Sequence, residues 1–267
     1  MKDLIILKLG GSILSFKDKN RCIFRSKVAK RIIKEILQAR LKQKFNLIII
    51  HGTGSFGHMP ASKYNLINGY RGKKSLVGFT KSKRSGFLLN SHLWKEMEDQ
   101  KLNGVTVQTF AIVKASAGEI ASMDIKTIKD LLLLGIVPVL FGDEVLDDRM
   151  GFSICSSDQL AAYLSAQLQP QRLLFATDVD GVYKDNPKIN NKALKISSIN
   201  KESLKIILSR LKQHNKDDVS GEMKGKLEAI YNYDHSPETE IRIFNGLKKD
   251  QVGKAIIGGE IGTRIYT

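Results

Sequence analysis

The chain has 267 residues, 42% apolar and 7% aromatic, enough for one large α/β domain or two small ones with an ample core. No run of eighteen apolar residues occurs, which excludes a membrane-spanning helix, and two cysteines, Cys22 and Cys155, give neither a disulfide framework nor a zinc spacing. Forty-three Lys and Arg against 27 Asp and Glu leave a net charge of +16, which raises nucleic acid as a rival partner.

The first predicted element is the strand "LIILKLG". The opening "MKDLIILKLGGS" is interrupted by Lys8 and by glycines, the wrong shape for a signal peptide, so a cytoplasmic setting is expected. A helix over about 27–44 follows, amphipathic with a basic outer face, and then the strand "FNLIIIH". The glycine-rich loop "HGTGSFGHMP" leads into a largely helical stretch, about 62–100, whose middle is interrupted by glycines. Between Lys63 and Arg84 this stretch carries seven basic residues and no acid. "VTVQTF" reads as a strand, "IKTIKDLLLLG" as a helix ended by Gly135, "IVPVLFG" as a strand and "DEVLDDRMGFSIC" as a hairpin. "SSDQLAAYLSAQL" opens with a Ser/Asp capping signal and continues as a helix. The strand "RLLFATDV" and the turn-rich "DGVYKDNP" follow. A helix over about 221–233, the strand "EIRIFNG", a short helix near 248–255 and a final β segment, "GTRIYT", complete the pattern.

Strands alternating with helices predict a mostly parallel sheet covered on both faces, a three-layer α/β/α sandwich. No linker of low complexity and no repeat appears, so a single domain over 1–267 is the simplest reading. Two lobes sharing one sheet would give the same pattern.

No GxxxxGK[ST] and no protein-kinase motif set is present. Three glycine features instead follow strands directly: "KLGGS" (Lys8–Ser12), "HGTGSFGH" and "TDVDGVY" (Thr177–Tyr183). In a parallel sheet ligands sit at the carboxyl ends of strands, where glycines let backbone N–H groups surround an anion and a helix N-terminus adds positive charge. One such loop is usually a turn. Two on adjacent strands, with cations or imidazoles beside them, point to two anions facing each other. Lys8 lies at the end of the first strand, where a buried lysine is rare unless paired. Lys17 follows, and "DDVSGEMKGKLEAI" puts Lys224 and Lys226 in the first turn of a helix, against the helix dipole, as a bound anion would explain. One of these two lysines is expected to be merely solvated. Asp158 reads as a helix cap that could also hold converging ammonium groups.

The ordered set "KLGGS", "HGTGSFGH", Gly142–Asp143, "SSDQLAA", "ATDVDGVY", "DVSGEMKGK" and "GTRI" resembles the amino-acid kinase superfamily from end to end. Within it, "HGTGSFGH" with Pro60, "FGDEVLDDRMGFSI" and "DVSGEMKGKLEAI" look like the isopentenyl phosphate kinases, which carry a histidine where His58 stands. The resemblance implies the amino-acid kinase fold, with an acceptor-binding lobe at about 1–150 and a nucleotide-binding lobe at about 151–267. It implies transfer of the γ-phosphoryl group of ATP to a phosphate acceptor, with Mg²⁺ carried on the ATP phosphates, no protein metal site, and a homodimer. By the same analogy Lys8 and Lys226 neutralise the phosphates, Lys17 supports the transition state from the acceptor side, and Asp158 orients the lysines. Gly10, Gly11 and Ser12 hold ATP phosphates, Asp178, Gly181, Tyr183 and Lys184 lie around ribose and base, and Gly221 and Lys224 complete the nucleotide side. His58, Thr53, Gly54, Gly57 and Ser157 face the acceptor phosphate, and Phe79, Phe87 and Leu88 are candidates for an apolar slot.

The chain departs from the family pattern at two places: Thr53 stands where a glycine is usual, and "SSDQ", Ser156 to Gln159, stands where a Ser-Gly-Asp-Asp run is frequent, so that Ser157 replaces a glycine and Gln159 an aspartate. Fosfomycin kinases share the Ser-Ser-Asp run, so a phosphonate acceptor is the alternative. A nucleic-acid binder would have no need of the lysine set and Asp158 together, which argues against that third reading.

Overall fold

The computed structural model of the chain describes residues 3–16, 21–187, 189–190, 192–213 and 221–267. Strand β1 (Leu4–Leu9) turns into the short helix α1 (Gly11–Leu14) and is followed by α2 (Ser26–Lys42), β2 (Asn46–His51), α3 (Gly54–Lys63) and α4 (Lys73–Asp99). Next come β3 (Gly104–Thr106), α5 (Thr109–Ile112), β4 (Val113–Ser116), β5 (Glu119–Met123), α6 (Ile125–Leu133), β6 (Val137–Phe141), β7 (Asp143–Asp147) and β8 (Gly151–Cys155). The remainder is α7 (Ser157–Leu168), β9 (Arg172–Thr177), β10 (Ser198–Ile199), α8 (Lys201–Gln213), α9 (Gly221–Asn232), β11 (Glu240–Asn245), α10 (Gln251–Ile256) and β12 (Thr263–Ile265).

Eight strands form one sheet in the order β10-β12-β11-β9-β1-β2-β6-β3, parallel throughout except where β12 meets β11. Every residue of β1 is buried, because both faces of the sheet are covered. Leu4 and Ile6 join a core with α6, α7, α8 and α9, while Ile5, Leu7 and Leu9 join a second core with α2, α4 and α10. The expected three layers are therefore present, and the period-2 side-chain alternation of β1 feeds one core on each face. No helix among the described residues is long and apolar enough to cross a membrane.

The structure refines the sequence expectations at three places. The loop after β2 is short, because α3 begins at Gly54 inside "HGTGSFGH". The stretch 62–100 is interrupted by glycines, as expected, at Gly69 (φ +68°) and Gly72 (φ +93°) ahead of α4, but from Lys73 to Asp99 the helix is unbroken: Gly78 and Gly86 inside it serve packing, and a Cβ at Gly78 would lie 2.2 Å from the Cβ of Tyr64. The segment 113–123, unassigned from sequence, forms the hairpin β4–β5, which joins β7–β8 in a separate four-stranded sheet ordered β5-β4-β7-β8.

Asp147 ties the turns of those two hairpins together. Its carboxylate accepts N–H bonds from Ala117 (3.1 Å), Gly118 (2.8 Å), Arg149 (2.9 Å) and Met150 (2.9 Å). Burial works against ionisation, but the N–H groups of Gly118, Met150 and Arg149 outweigh it and bring the carboxyl down to about 2. Its stabilisation is therefore whole above the unfolded value near 3.9 and is lost as pH falls toward 2. Asp147→Ala is expected to lower the unfolding free energy by about 3 kcal/mol at neutral pH in urea titrations. A loss below about 1 kcal/mol would mean that water replaces the carboxylate.

Candidate active site

The carboxyl ends of the central strands finish in a row of glycines. Gly10 N–H donates to Ala176 O (2.9 Å), Gly52 N–H to Leu9 O (2.9 Å), Gly142 N–H to His51 O (3.0 Å) and Gly246 N–H to Thr177 O (2.9 Å). The first two glycine loops touch backbone to backbone: a Cβ at Gly11 would lie 2.4 Å from the nitrogen of Gly54, and one at Gly52 would lie 2.7 Å from the nitrogen of Gly11. Gly54 has φ +51°, and a Cβ there would overlap Ser15 Oγ. Ser157, buried at the start of α7, closes the same corner, 3.3 Å from the Cβ position of Gly52 through Oγ and 3.0 Å from that of Gly142 through its nitrogen. Two helices of more than two turns, α3 and α7, thus begin where these glycines crowd, and their dipoles favour negative charge there.

Behind this corner lies a buried charge cluster. Lys8 on β1 places Nζ 2.8 Å from Asp158 Oδ1, and Lys226 on α9 places its Nζ 2.5 Å from the same oxygen. The Lys226 ammonium also stands 5.0 Å over the ring of Phe175. Lys8 and Lys226 are 4% and 3% exposed, so two ammonium groups share one carboxylate away from water and leave a positive charge uncompensated. Desolvation is the largest influence on both ionised partners. It pushes Lys226 down to about 8, with Lys8 adding to the fall and Asp158 resisting it. At Asp158 the two lysines overcome burial and bring the carboxyl to about 2. A buried site of this kind favours a further anion.

The structure separates the paired candidates. Lys226 faces inward, whereas Lys224 is partly exposed, 3.9 Å from Glu228 one turn along α9, which Gly221 opens. Asp158 is not the helix cap: Ser156 is, its Oγ accepting from Gln159 N–H at 3.0 Å, and this leaves the Asp158 carboxylate to the lysines. Lys17 lies outside the described residues. His58 is exposed on the second turn of α3, and its imidazole makes no hydrogen bond or ion pair among the described residues.

Thr53, the residue at odds with the family pattern, has a packing explanation. A Cβ at Gly57 would stand 2.0 Å from Thr53 Oγ1, and one at Gly86 would stand 3.4 Å from Thr53 Cγ2. The threonine side chain occupies a niche between α3 and α4 that two glycines provide. The N–H groups of Phe56 and Gly57 are engaged by Thr53 O, and that of Ser55 by Ser15 Oγ (3.1 Å). Gly57 therefore contributes room for Thr53 rather than a spare N–H group.

The third glycine loop leaves β9, the strand next to β1, whose Ala176 O accepts the N–H of Gly10. Asp178 is partly buried and accepts from Thr177 Oγ1 at 3.4 Å. Gly181 lies against β12, where a Cβ would meet Thr263 Oγ1 at 2.5 Å, and Val182 N–H donates to that hydroxyl at 2.8 Å. Tyr183 bridges to Lys195, and Lys184 is exposed with its N–H on Leu194 O. Asp180 escaped the sequence reading; it accepts from Asn245 Nδ2 (2.8 Å) and Lys248 Nζ (2.7 Å) and fastens the loop to the end of β11. Also missed was a second buried charge cluster, Lys83 with Asp143 and Glu144. His51 is buried, stacks on Phe141 and meets Asn90 Oδ1 at 3.1 Å; burial lowers its pKa, so it belongs to the wall as a neutral ring.

Comparison with known proteins identifies the family and the fold. The sequence profile described as "Amino acid kinase family" matches residues 3–245. The isopentenyl phosphate kinases of Methanothermobacter thermautotrophicus and Methanocaldococcus jannaschii are 36% and 35% identical, each over 98% of this chain and 98% of the relative. A solved isopentenyl phosphate kinase structure aligns with a TM-score of 0.82 at 33% identity, over 98% of this chain and 100% of that one. The T. acidophilum isopentenyl phosphate kinase product complex, 24% identical, shares the fold with a TM-score of 0.75 over 98% of this chain and 99% of that one. A row of glycines at the strand ends, a carboxylate shared by two buried lysines and full-length similarity lead to one conclusion: this chain belongs to the amino acid kinase family, among its isopentenyl phosphate kinases.

Proposed function

We propose that this protein transfers the γ-phosphoryl group of ATP to the phosphate of isopentenyl phosphate, giving isopentenyl diphosphate and ADP. The observation that carries the reading is the Asp158 oxygen shared by two buried ammonium groups beside the glycine row. A phosphate oxygen of the acceptor forms the new P–O bond while the bond between the γ-phosphorus and the β–γ bridging oxygen breaks. The acceptor oxygen is already ionised, so no base is required. The barrier is repulsion between anions and their alignment, which positive charge and positioning lower.

In this reading Lys8 and Lys226 neutralise the ATP phosphates and the group in flight, and Asp158 keeps both ammonium groups in place. Gly10, Gly11 and Ser12 approach the ATP phosphates, and Lys17 acts from the acceptor side. Asp178, Gly181, Tyr183 and Lys184 border ribose and base, with Gly221 and Lys224 at the nucleotide's edge. Gly54, Ser157 and His58 hold the acceptor phosphate, and Thr53 shapes the start of α3. Residues of about 1–150 form the acceptor lobe and those of about 151–267 the nucleotide lobe. Among the described residues no group of three or more His, Cys, Asp and Glu side chains could hold a metal ion. By the family resemblance Mg²⁺ would be carried by the nucleotide's own oxygens, where it would offset phosphate charge. A cytoplasmic homodimer completes the reading, on the resemblance to the family.

The test is ADP release measured in parallel with isopentenyl phosphate, dimethylallyl phosphate, fosfomycin and uridylate. Turnover with the isoprenoid phosphates is expected, and its absence would sink the proposal. His58→Ala is expected to raise KM for isopentenyl phosphate about 10–100-fold, the worth of a hydrogen bond to a charged group, with KM for ATP little changed. Equal rises in both constants would make His58 a fold residue.

A further inference from the structure

The basic stretch of α4 hides one lysine that is not a surface charge. Lys83 is mostly buried, with Nζ 2.5 Å from Asp143 Oδ2 and 3.0 Å from Glu144 O. Its ammonium stands 4.2 Å from the ring centre of Phe110 and 5.8 Å from that of Phe79. Asp143 Oδ2 also accepts from Phe110 N–H at 3.3 Å, and the neighbouring Glu144 carboxylate accepts from Ser82 Oγ at 2.6 Å. Burial is the largest influence on all three ionisable groups, lowering Lys83 and raising Asp143 and Glu144. Such a cluster is a poor source of stability, since apolar residues of similar volume commonly do as well or better. Its directional contacts can, however, fix one register between two packed elements.

The elements it joins frame the acceptor end of the site. Asp143 follows Gly142, the single residue between β6 of the large sheet and β7 of the small one, and Gly142 packs on the nitrogen of Ser157. On the same face of α4, one turn beyond Ser82, Gly86 meets Thr53 and Phe141; one turn further, Asn90 holds His51. Residues 82, 86 and 90 thus lock α4 to β7, to the start of α3 and to the end of β2. Phe87, partly exposed and 5.5 Å from Phe141, rides on this helix with Leu88. A slip of α4 along β7 would move those apolar side chains relative to Gly54 and Ser157.

We propose that the Lys83–Asp143 pair, with Ser82–Glu144 beside it, is a positioning device that sets the register of α4 and so the geometry of the acceptor end, without touching substrate. The inference rests on the phosphoryl-transfer reading above. The experiment is steady-state kinetics of the full chain, varying isopentenyl phosphate at saturating ATP and ATP at saturating acceptor, with thermal melting of each variant. Lys83→Met and Asp143→Asn are expected to raise KM for the acceptor about ten-fold, with KM for ATP within about two-fold. The double variant Lys83→Met/Asp143→Leu, which replaces the pair by apolar groups, is expected to recover the melting temperature while the acceptor KM stays raised. It also supplies the readout should a single variant fail to fold. Acceptor KM returning to the wild-type value together with the melting temperature would reduce the pair to packing and overturn the proposal. So would equal rises in both KM values. A wild-type protein that does not turn over isopentenyl phosphate would instead remove the reading of function, and this inference with it.

Discussion

Replacing Lys226 by alanine is expected to lower kcat about 10²–10³-fold, the usual loss when one preorganised donor to transition-state charge is removed, with acceptor KM changed little. Lys226 is buried, shares Asp158 Oδ1 with Lys8, and keeps its geometry before any substrate arrives. Lys224→Ala is the contrast. Its side chain is partly exposed and only loosely paired with Glu228 at the edge of the proposed nucleotide site, so kcat at saturating ATP is expected to stay within about two-fold of wild type, any loss falling on KM for ATP. A large loss with Lys224→Ala and a small one with Lys226→Ala would reverse the assignment. Because burial brings Lys226 down to about 8, its charge in the nucleotide-free protein declines as pH rises past that value. The kcat/KM for ATP is accordingly expected to fall on the alkaline side of pH 8, and a flat profile to pH 10 would contradict it.

Asp158→Asn is expected to lose both stability and activity. Removing the carboxylate charge leaves two ammonium groups buried without compensation, a change that costs about 3–5 kcal/mol in comparable pairs. Urea unfolding at neutral pH reads this directly. Adding Lys226→Met to Asp158→Asn is expected to recover much of the stability and none of the turnover, because the second substitution removes the stranded charge along with the group proposed to serve the reaction. Full activity in Asp158→Asn would mean that the lysines hold their positions without it. The pH dependence has a defined sign. Asp158 ionises at about 2 in the folded chain and near 3.9 when unfolded, so its contribution is whole above about pH 4 and disappears as pH falls toward 2.

Much of the site was legible because its signals are local. "KLGGS" and "HGTGSFGH" each follow an apolar run, and a glycine after a strand in an alternating α/β pattern marks the binding edge wherever the strands happen to lie. Local signals also misled. Glycines in the stretch 62–100 look alike in sequence, yet Gly69 and Gly72 interrupt it whereas Gly78 and Gly86 sit inside α4 and make room for Tyr64 and Thr53, residues that reach them from outside the helix. Ser156 and Asp158 are both acceptable caps, and only the approach of Lys8 and Lys226 decides which of them caps and which binds. The helix α8 was available in principle, since Asn200 Oδ1 caps it through Ser203 N–H at 2.8 Å and its apolar residues recur at helical spacing. The hairpin β4–β5 was not: "VKAS" and "EIASM" carry few large apolar side chains, and β5 is largely exposed.

By itself the sequence determined the alternation of strands and helices, the two-faced burial of β1 and the glycine loops at the strand ends, because side-chain period and backbone permissiveness are properties of neighbouring residues. Tertiary structure alone decided that Lys226 and not Lys224 turns inward, that Thr53 fits between Gly57 and Gly86, and that Lys83 is paired while the basic residues around it carry the surface. Residues 8, 158 and 226 lie far apart along the chain and meet at one oxygen atom. A desolvated contact of that kind is set by which elements the sheet brings side by side, and no local pattern in the chain encodes it.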